Sequence, residues 1–111
     1  MKHPSKPLKE RKRDIATVIF EAWKPFTGIG QSLHDEVVRL YAEKTPDSIR
    51  RGNELNGELC KLKDKCSDAA EIAYELAINR LSRNDNTRDL RKFSIDLLLH
   101  LNNRYEQLLH F

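Results

Sequence analysis

Apolar residues recur at alternating spacings of four and three along the middle of the chain, and this pattern constrains the fold more than any other feature. The residues that follow it are Leu55, Leu59, Leu62, Cys66, Ala69, Ala73 and Leu76. Because side chains three and four positions apart lie on the same face of an α-helix, the pattern describes a short heptad seam. It predicts one long helix that begins near residue 46, reaches about residue 81 and buries this face against other helices.

The residues before the seam are typical of a helix start. Thr45 has a side chain that can cap a helix, Pro46 suits the first helical position, and Asp47 suits the positive end of the helix dipole. Gly52 and Gly57 each cost about 1 kcal/mol relative to alanine inside a helix. They leave open whether the first turns are continuous with the rest of the helix, bent or broken.

Two shorter helices are predicted before the long one. The apolar face of the first comprises Ile15, Val18, Ile19, Ala22, Trp23 and Phe26. Either the last turn of the arm is already helical or Asp14 caps this helix, and Pro25 is expected to end it because proline has no backbone N–H. Residues 24–31 then form a corner, and Ser32 caps a second helix over about 32–44. The glycines of this corner do not indicate a phosphate-binding loop, since a helix precedes them and no lysine follows.

The last helix carries an apolar face that extends to the end of the chain. Its members are Leu90, Phe93, Leu97, Leu101, Leu108 and Phe111, and either Asn86 or Thr87 is its expected cap. The apolar stretches 69–81 and 95–101 are expected to face one another. The predicted fold class is therefore all-α: a four-helix bundle-like domain over residues 14–111, with a long C-terminal hairpin formed by the last two helices. The polar segment 1–13 is expected to be a flexible basic arm.

Positive charge is concentrated at the N-terminus. Residues 1–14 contain six basic and two acidic residues, an excess of four positive charges, whereas the formal net charge of the whole chain is +3. Clustered lysine and arginine attract nucleic-acid phosphates without regard to sequence, although a solvated tail with no partner is the alternative explanation. The expected nucleic-acid contacts are Lys6, Lys9, Arg11, Lys12 and Arg13 in the arm, with Arg50 and Arg51 in the long helix.

One pattern near the C-terminus combines residue types that are used in catalysis. Arg104 and His110, in the segment RYEQLLH, have an arginine-to-histidine spacing found in HEPN-type ribonucleases, in which a dimer brings two such pairs together over the RNA. Histidine can act as a general acid or base, and arginine can steady phosphate charge. A chain this rich in arginine and histidine supplies about one such pair by chance. A HEPN-like ribonuclease is therefore the alternative function and not the favoured one.

The coverage of apolar faces predicts self-association. Two helices of about 12 residues can cover only one side of a hairpin whose first helix is about 54 Å long. The early seam and the apolar stretch of the last helix would then stay exposed in a monomer, and a second copy related by a two-fold axis is the simplest cover. The residues expected in this contact are Leu55, Leu59, Leu62, Ile95, Leu98 and Leu99.

The remaining features exclude several classes of protein. No apolar run is long enough to span a membrane. Cys60 and Cys66 match no zinc-binding spacing, and no metal or cofactor is expected. Two reduced thiols are typical of a cytoplasmic protein. The favoured function is a small cytoplasmic binding or regulatory protein, not expected to be an enzyme. Its expected partners are a second copy in a homodimer, nucleic acid at the basic arm, and a protein of unknown identity.

Overall fold

Three α-helices make up most of the described chain, which in this computed structural model comprises residues 7–80 and 87–111. Helix α1 spans Leu8–Glu43, α2 spans Pro46–Asn79 and α3 spans Thr87–Glu106, and a 3-10 turn over Gln107–Leu109 follows α3. The molecule is long and thin, with extents of 70 × 17 × 16 Å.

Helices α1 and α2 form an antiparallel hairpin with a two-residue connection. Lys44 ends α1 in the left-handed conformation, with a φ of 56°. Thr45 caps α2: its hydroxyl accepts a hydrogen bond from the Ser48 backbone N–H, and the Ser48 hydroxyl accepts one from the Thr45 N–H. The predicted start of the long helix at Thr45 and Pro46 is therefore confirmed.

Helix α3 lies along the hairpin and runs in the same direction as α1. Near its start, Phe93 lies beneath the ammonium group of Lys12, which is 5.5 Å from the ring centroid. Near the end of the chain, the Phe111 ring stacks on His34 with a centroid distance of 4.9 Å. These two contacts pair the beginning of α3 with the beginning of α1, and the C-terminus with the later turns of α1.

The buried core runs through all three helices. Its members are Ile15, Ile19, Trp23, Phe26, Leu59, Cys66, Ala70, Tyr74, Ile78, Leu90 and Leu101. Tyr105 of α3 packs against two aromatic rings of α1, with centroid distances of 4.8 Å to Trp23 and 5.2 Å to Phe26. Such pairs contribute about 0.5–1.5 kcal/mol each beyond the area they bury. The aromatic cluster therefore attaches α3 to the middle of the hairpin.

An ion pair joins α2 to the end of α3. Lys63 is buried, and its Nζ lies 2.9 Å from Oε2 of Glu106. The hydrogen bond from Lys63 is the main reason that the pKa of Glu106 is lowered, and the positive charge of the Lys63 ammonium group lowers it further. Because the folded pKa is the lower one, this pair stabilises the fold above the unfolded pKa. That contribution is lost as pH falls through the folded pKa.

The predicted corner at residues 24–31 is wrong. Helix α1 continues through Pro25, and the expected cap Ser32 is an interior position of α1. Asp14 is interior too, so the alternative in which the last turn of the arm is helical is the correct one. Proline removes the N–H that would bond to the carbonyl of Glu21, but both residues are exposed, so water can satisfy that carbonyl. Trp23 and Phe26 are fully buried on either side of Pro25. Burying two large aromatic side chains outweighs the cost of about 3 kcal/mol that an interior proline imposes.

The continuity of α1 alters three further expectations about the fold. The four-helix arrangement is not confirmed, because the first two predicted helices are one helix and the described chain has three. The long hairpin is formed by α1 and α2, since α3 is only 20 residues long. Residues 8–13 of the expected arm are the first turns of α1. Residues 1–6 and the expected cap Asn86 lie outside the described residues.

Replacement of Pro25 tests the continuity of α1. Pro25→Ala restores the hydrogen bond to the Glu21 carbonyl on an exposed helix face, and we expect it to raise the free energy of unfolding by about 2 kcal/mol. Pro46→Ala is the control, because proline at the first position of α2 sacrifices no hydrogen bond and its replacement should bring no gain. Urea denaturation followed by circular dichroism measures both. If Pro25→Ala lowers the free energy of unfolding instead, α1 is not continuous and a corner lies at this position.

Two glycines of α2 test the packing of the hairpin near its turn. A Cβ atom added at Gly52 would lie 2.6 Å from Cε1 of Tyr41, whereas one added at Gly57 would have no neighbour within 4 Å. Gly57→Ala should therefore stabilise by about 1 kcal/mol through helix propensity. Gly52→Ala should destabilise by about 1–3 kcal/mol, since the Tyr41 ring must move and give up its hydrogen bond to Asn53. Urea denaturation measures the free energy of unfolding of both variants. An equal increase in Gly52→Ala and Gly57→Ala would contradict the close approach of Gly52 to the Tyr41 ring.

Candidate functional site

Two pairs of large apolar side chains on α2 and α3 remain exposed. Ile72 and Leu76 on α2 are 60% and 55% exposed, and Ile95 and Leu99 on α3 are 47% and 57% exposed. Residues four positions apart share a helix face, so each pair forms a continuous apolar strip. A single exposed apolar residue needs no explanation, but a cluster indicates a binding surface.

Two shallow clefts follow these strips. The cleft between α2 and α3 has a volume of about 300 Å³ and is lined by Glu71, Tyr74, Glu75, Ile95, Leu98, Leu99 and Asn102. The cleft on α2 alone has a volume of about 450 Å³ and is lined by Asp68, Glu71, Ile72, Glu75 and Leu76. Glu71 and Glu75 line both clefts and so form a ridge between them. We call the two clefts and their ridge the α2–α3 surface.

The α2–α3 surface is acidic as well as apolar. Asp68, Glu71 and Glu75 line the clefts, and no lysine or arginine is among the lining residues. None of these three carboxylates forms an ion pair with any residue in 7–80 or 87–111. Like charges four positions apart on a helix cost about 0.2–0.5 kcal/mol, so Glu71 and Glu75 weaken α2 slightly. A partner with apolar and basic groups would offset that cost.

The residues expected to mediate self-association divide between this surface and the core. Ile95, Leu98 and Leu99 line the cleft between α2 and α3. Leu59, by contrast, is fully buried within a single chain. Leu55 and Leu62 are half-buried, and Leu62 packs against the core. The early seam is therefore covered within one chain, because α1 is a single long helix where two short ones were expected.

The contribution of Ile72 and Leu76 was missed. Both lie in the stretch 69–81 that was expected to face the last helix, yet both are exposed. A sequence signal was present: Ile72 is two positions beyond the buried Ala70, which is about 200° around the helix. Only one side of that stretch faces the core, so its other side stays at the surface.

The basic residues expected to contact nucleic acid lie at opposite ends of the hairpin. Lys9 and Arg13 are exposed in the first turns of α1, Arg11 and Lys12 are half-buried there, and Lys6 is outside the described residues. Arg50 and Arg51 are exposed in the first turns of α2, where Arg50 lies 3.1 Å from Asp47. About 30 residues of α1, or roughly 45 Å, separate the two groups. They therefore do not form a single patch.

A basic face that includes an aromatic residue was not anticipated. Arg13, Phe20 and Lys24 are all exposed on α1, and Phe20 is 48% exposed. Their spacings of seven and four residues place them on one helix face, within about 40° of one another. We call these three residues the α1 stripe. It is recognisable from sequence once α1 is known to begin before Arg13, at Leu8.

Arg104 and His110 do not line a common cavity. Arg104 borders a cavity of about 390 Å³ between α1 and the end of α3, whose lining also includes Phe26, Thr27, Gln31, Tyr105, Gln107 and Leu108. His110 is absent from that lining and is close enough to Glu106 to affect its pKa. The geometry of one chain thus gives no support to the ribonuclease alternative.

The described part of the chain contains no candidate metal site and no helix that could span a membrane. No group of three or more His, Cys, Asp or Glu residues there could hold a metal ion. No helix among residues 7–80 and 87–111 is long and apolar enough to cross a membrane. Both cysteines are free thiols, and burial raises the pKa of the Cys66 thiol. This thiol is consequently a weak nucleophile at neutral pH.

Comparison with protein-family models, with curated proteins and with solved structures gave no significant match to this chain. A function is therefore proposed from the chemistry of its own surfaces.

Proposed function

We propose that this chain is a small helical binding protein that self-associates, and that the α2–α3 surface carries the contact. The observation that supports this function is the exposure of Ile72, Leu76, Ile95 and Leu99 beside carboxylates that have no ionic partner among the described residues. We also propose that its role is regulatory and is exerted through this docking surface.

The magnitude of the apolar contribution indicates how strong such a contact is. Full burial of a leucine or isoleucine side chain contributes about 1.5–3 kcal/mol, so four half-exposed side chains contribute about 4 kcal/mol between them. That alone corresponds to a dissociation constant of about 1 mM, before the cost of association is subtracted. Further contacts, including charged ones, must add to the apolar ones if the protein associates at micromolar concentration.

Removal of apolar side chains from the cleft tests the self-association. Ile95→Gln with Leu99→Gln removes two exposed apolar groups without altering the core, so helicity should be unchanged while association is abolished. Val38→Gln with Ile49→Gln is the matched control, because those side chains are 47% and 42% exposed but lie outside the α2–α3 surface. Sedimentation velocity over a concentration series measures the mass of each protein.

The expected result is a concentration-dependent increase in mass for the wild type and the control, and a constant 13.0 kDa for the cleft variant. A wild type that stays at 13.0 kDa at every concentration would refute self-association. If the cleft variant associates as strongly as the wild type, the contact lies outside the α2–α3 surface.

Nucleic-acid binding by the N-terminal turns of α1 is a second candidate function. It is favoured by the exposure of Lys9 and Arg13 near an exposed aromatic residue, Phe20, since basic and aromatic groups together suit single-stranded nucleic acid. Lys9→Gln with Arg13→Gln should weaken binding of a labelled single-stranded oligonucleotide. It should also reduce the slope of log affinity against log salt by roughly 0.7 for each phosphate that the protein no longer neutralises. Fluorescence anisotropy at several salt concentrations measures both quantities.

Two arginines near the turn of the hairpin provide the control for the loss of two positive charges. Arg50→Gln with Arg51→Gln removes the same number of charges from α2, and binding should be unchanged if only the N-terminal turns take part. Weaker binding in this variant alone would place the site at the turn of the hairpin.

A further inference from the structure

The same chain carries an acidic, apolar surface and a basic, aromatic stripe on different helices. We infer that the occupant of the α2–α3 surface is the α1 stripe of a second copy of this chain. This inference rests on the proposed self-association and specifies which surface each copy contributes.

The α2–α3 surface has no lysine or arginine among its lining residues. Its glutamate ridge lies between two apolar clefts, and its carboxylates have no ionic partner among the described residues. Arg91 approaches the cleft, but its Nη1 lies 3.5 Å from the Tyr74 hydroxyl and not beside a carboxylate. A complementary partner therefore needs positive charges for the ridge and an apolar group for a cleft.

The α1 stripe supplies those groups in a compatible arrangement. Arg13 and Lys24 flank Phe20 on one face, and neither cation forms an ion pair with any residue in the described ranges. The two cations lie 11 residues apart, about 16 Å along α1. Asp68 and Glu75 lie about 10 Å apart along α2 by the same rise. Flexible arginine and lysine side chains can span the difference, with the Phe20 ring between them entering the cleft beside Ile95 and Leu99.

The pairing of two different surfaces is compatible with two kinds of symmetry. The stripe belongs to α1 and the acidic surface to α2 and α3, so each copy offers one of each. In a two-fold dimer, each stripe contacts the acidic surface of the other copy. In a heterologous contact only one stripe and one surface are joined between two copies, and the contact repeats head to tail until a ring closes or a chain of copies forms. The mass at high concentration in sedimentation velocity distinguishes a dimer from a longer assembly.

Reciprocal charge reversal tests the pairing. The stripe variant is Arg13→Glu with Lys24→Glu, and the surface variant is Glu71→Lys with Glu75→Lys. Each alone brings like charges together, so association measured by sedimentation velocity should weaken by roughly tenfold or more. An equimolar mixture of the two variants should associate again, because it can join opposite charges. The protein that carries all four substitutions should likewise associate on its own.

A matched control separates pairing from net charge. Arg50→Glu with Arg51→Glu changes the net charge by the same amount as the stripe variant, but at the far end of the hairpin, and should associate as the wild type does. All the altered residues are exposed, and circular dichroism establishes whether each variant retains its helices. If one charge-reversed variant fails to fold, the other still tests the pairing, because the inference requires its association to weaken as well.

The outcomes distinguish this inference from the function on which it rests. A wild type that associates, and ceases to do so in the Ile95 and Leu99 variant but not in either charge-reversed variant, would overturn the inference and keep the proposed function. A monomeric wild type would overturn both. If the stripe variant fails to bind the oligonucleotide but associates normally, the stripe is a nucleic-acid contact and the inference is wrong.

Discussion

The packing of Tyr105 against Trp23 and Phe26 determines where α3 lies, and the surfaces of the molecule follow from that position. The three rings join the middle of α1 to the last turns of α3. The ion pair between Lys63 and Glu106 attaches the same end of α3 to α2. The early seam of α2 is covered by α1 within one chain, while the clefts beside Glu71 and Glu75, where α3 meets α2, keep an apolar strip exposed.

The distribution of charge across the helices follows from this arrangement. The exposed carboxylates of α2 lie beside apolar side chains, whereas the exposed cations of the first part of α1 lie beside Phe20. The α1 stripe and the α2–α3 surface therefore carry opposite charge, although Glu10, Asp14 and Glu21 are also exposed on the first part of α1. Attraction between exposed charges falls within about 10 Å at moderate salt, so these faces act on partners at close range and their effect weakens as salt rises.

The helical class, the start of α2 at Thr45 and the grouping of Ile95, Leu98 and Leu99 were all accessible from the sequence, because each depends on local spacing or capping. The continuity of α1 was not, because it depends on a balance between a local cost at Pro25 and tertiary burial of Trp23 and Phe26. That single error produced a false fourth helix and assigned the early seam to a second copy. The α1 stripe has a different requirement, since it is a single face only if α1 begins before Arg13. The exposure of Ile72 depends on which side of α2 the other helices occupy, which spacing alone does not specify.

The positions of both proposed surfaces require that α3 packs against its own chain. Nuclear Overhauser effects between the Trp23 indole and the Tyr105 ring, recorded on a mixture of isotope-labelled and unlabelled protein, distinguish contacts within a chain from those between chains. The ring centroids lie 4.8 Å apart, so strong effects within one labelled chain are expected. Effects that appear only between labelled and unlabelled chains, or none at all, would contradict the position of α3 and the binding surface that depends on it.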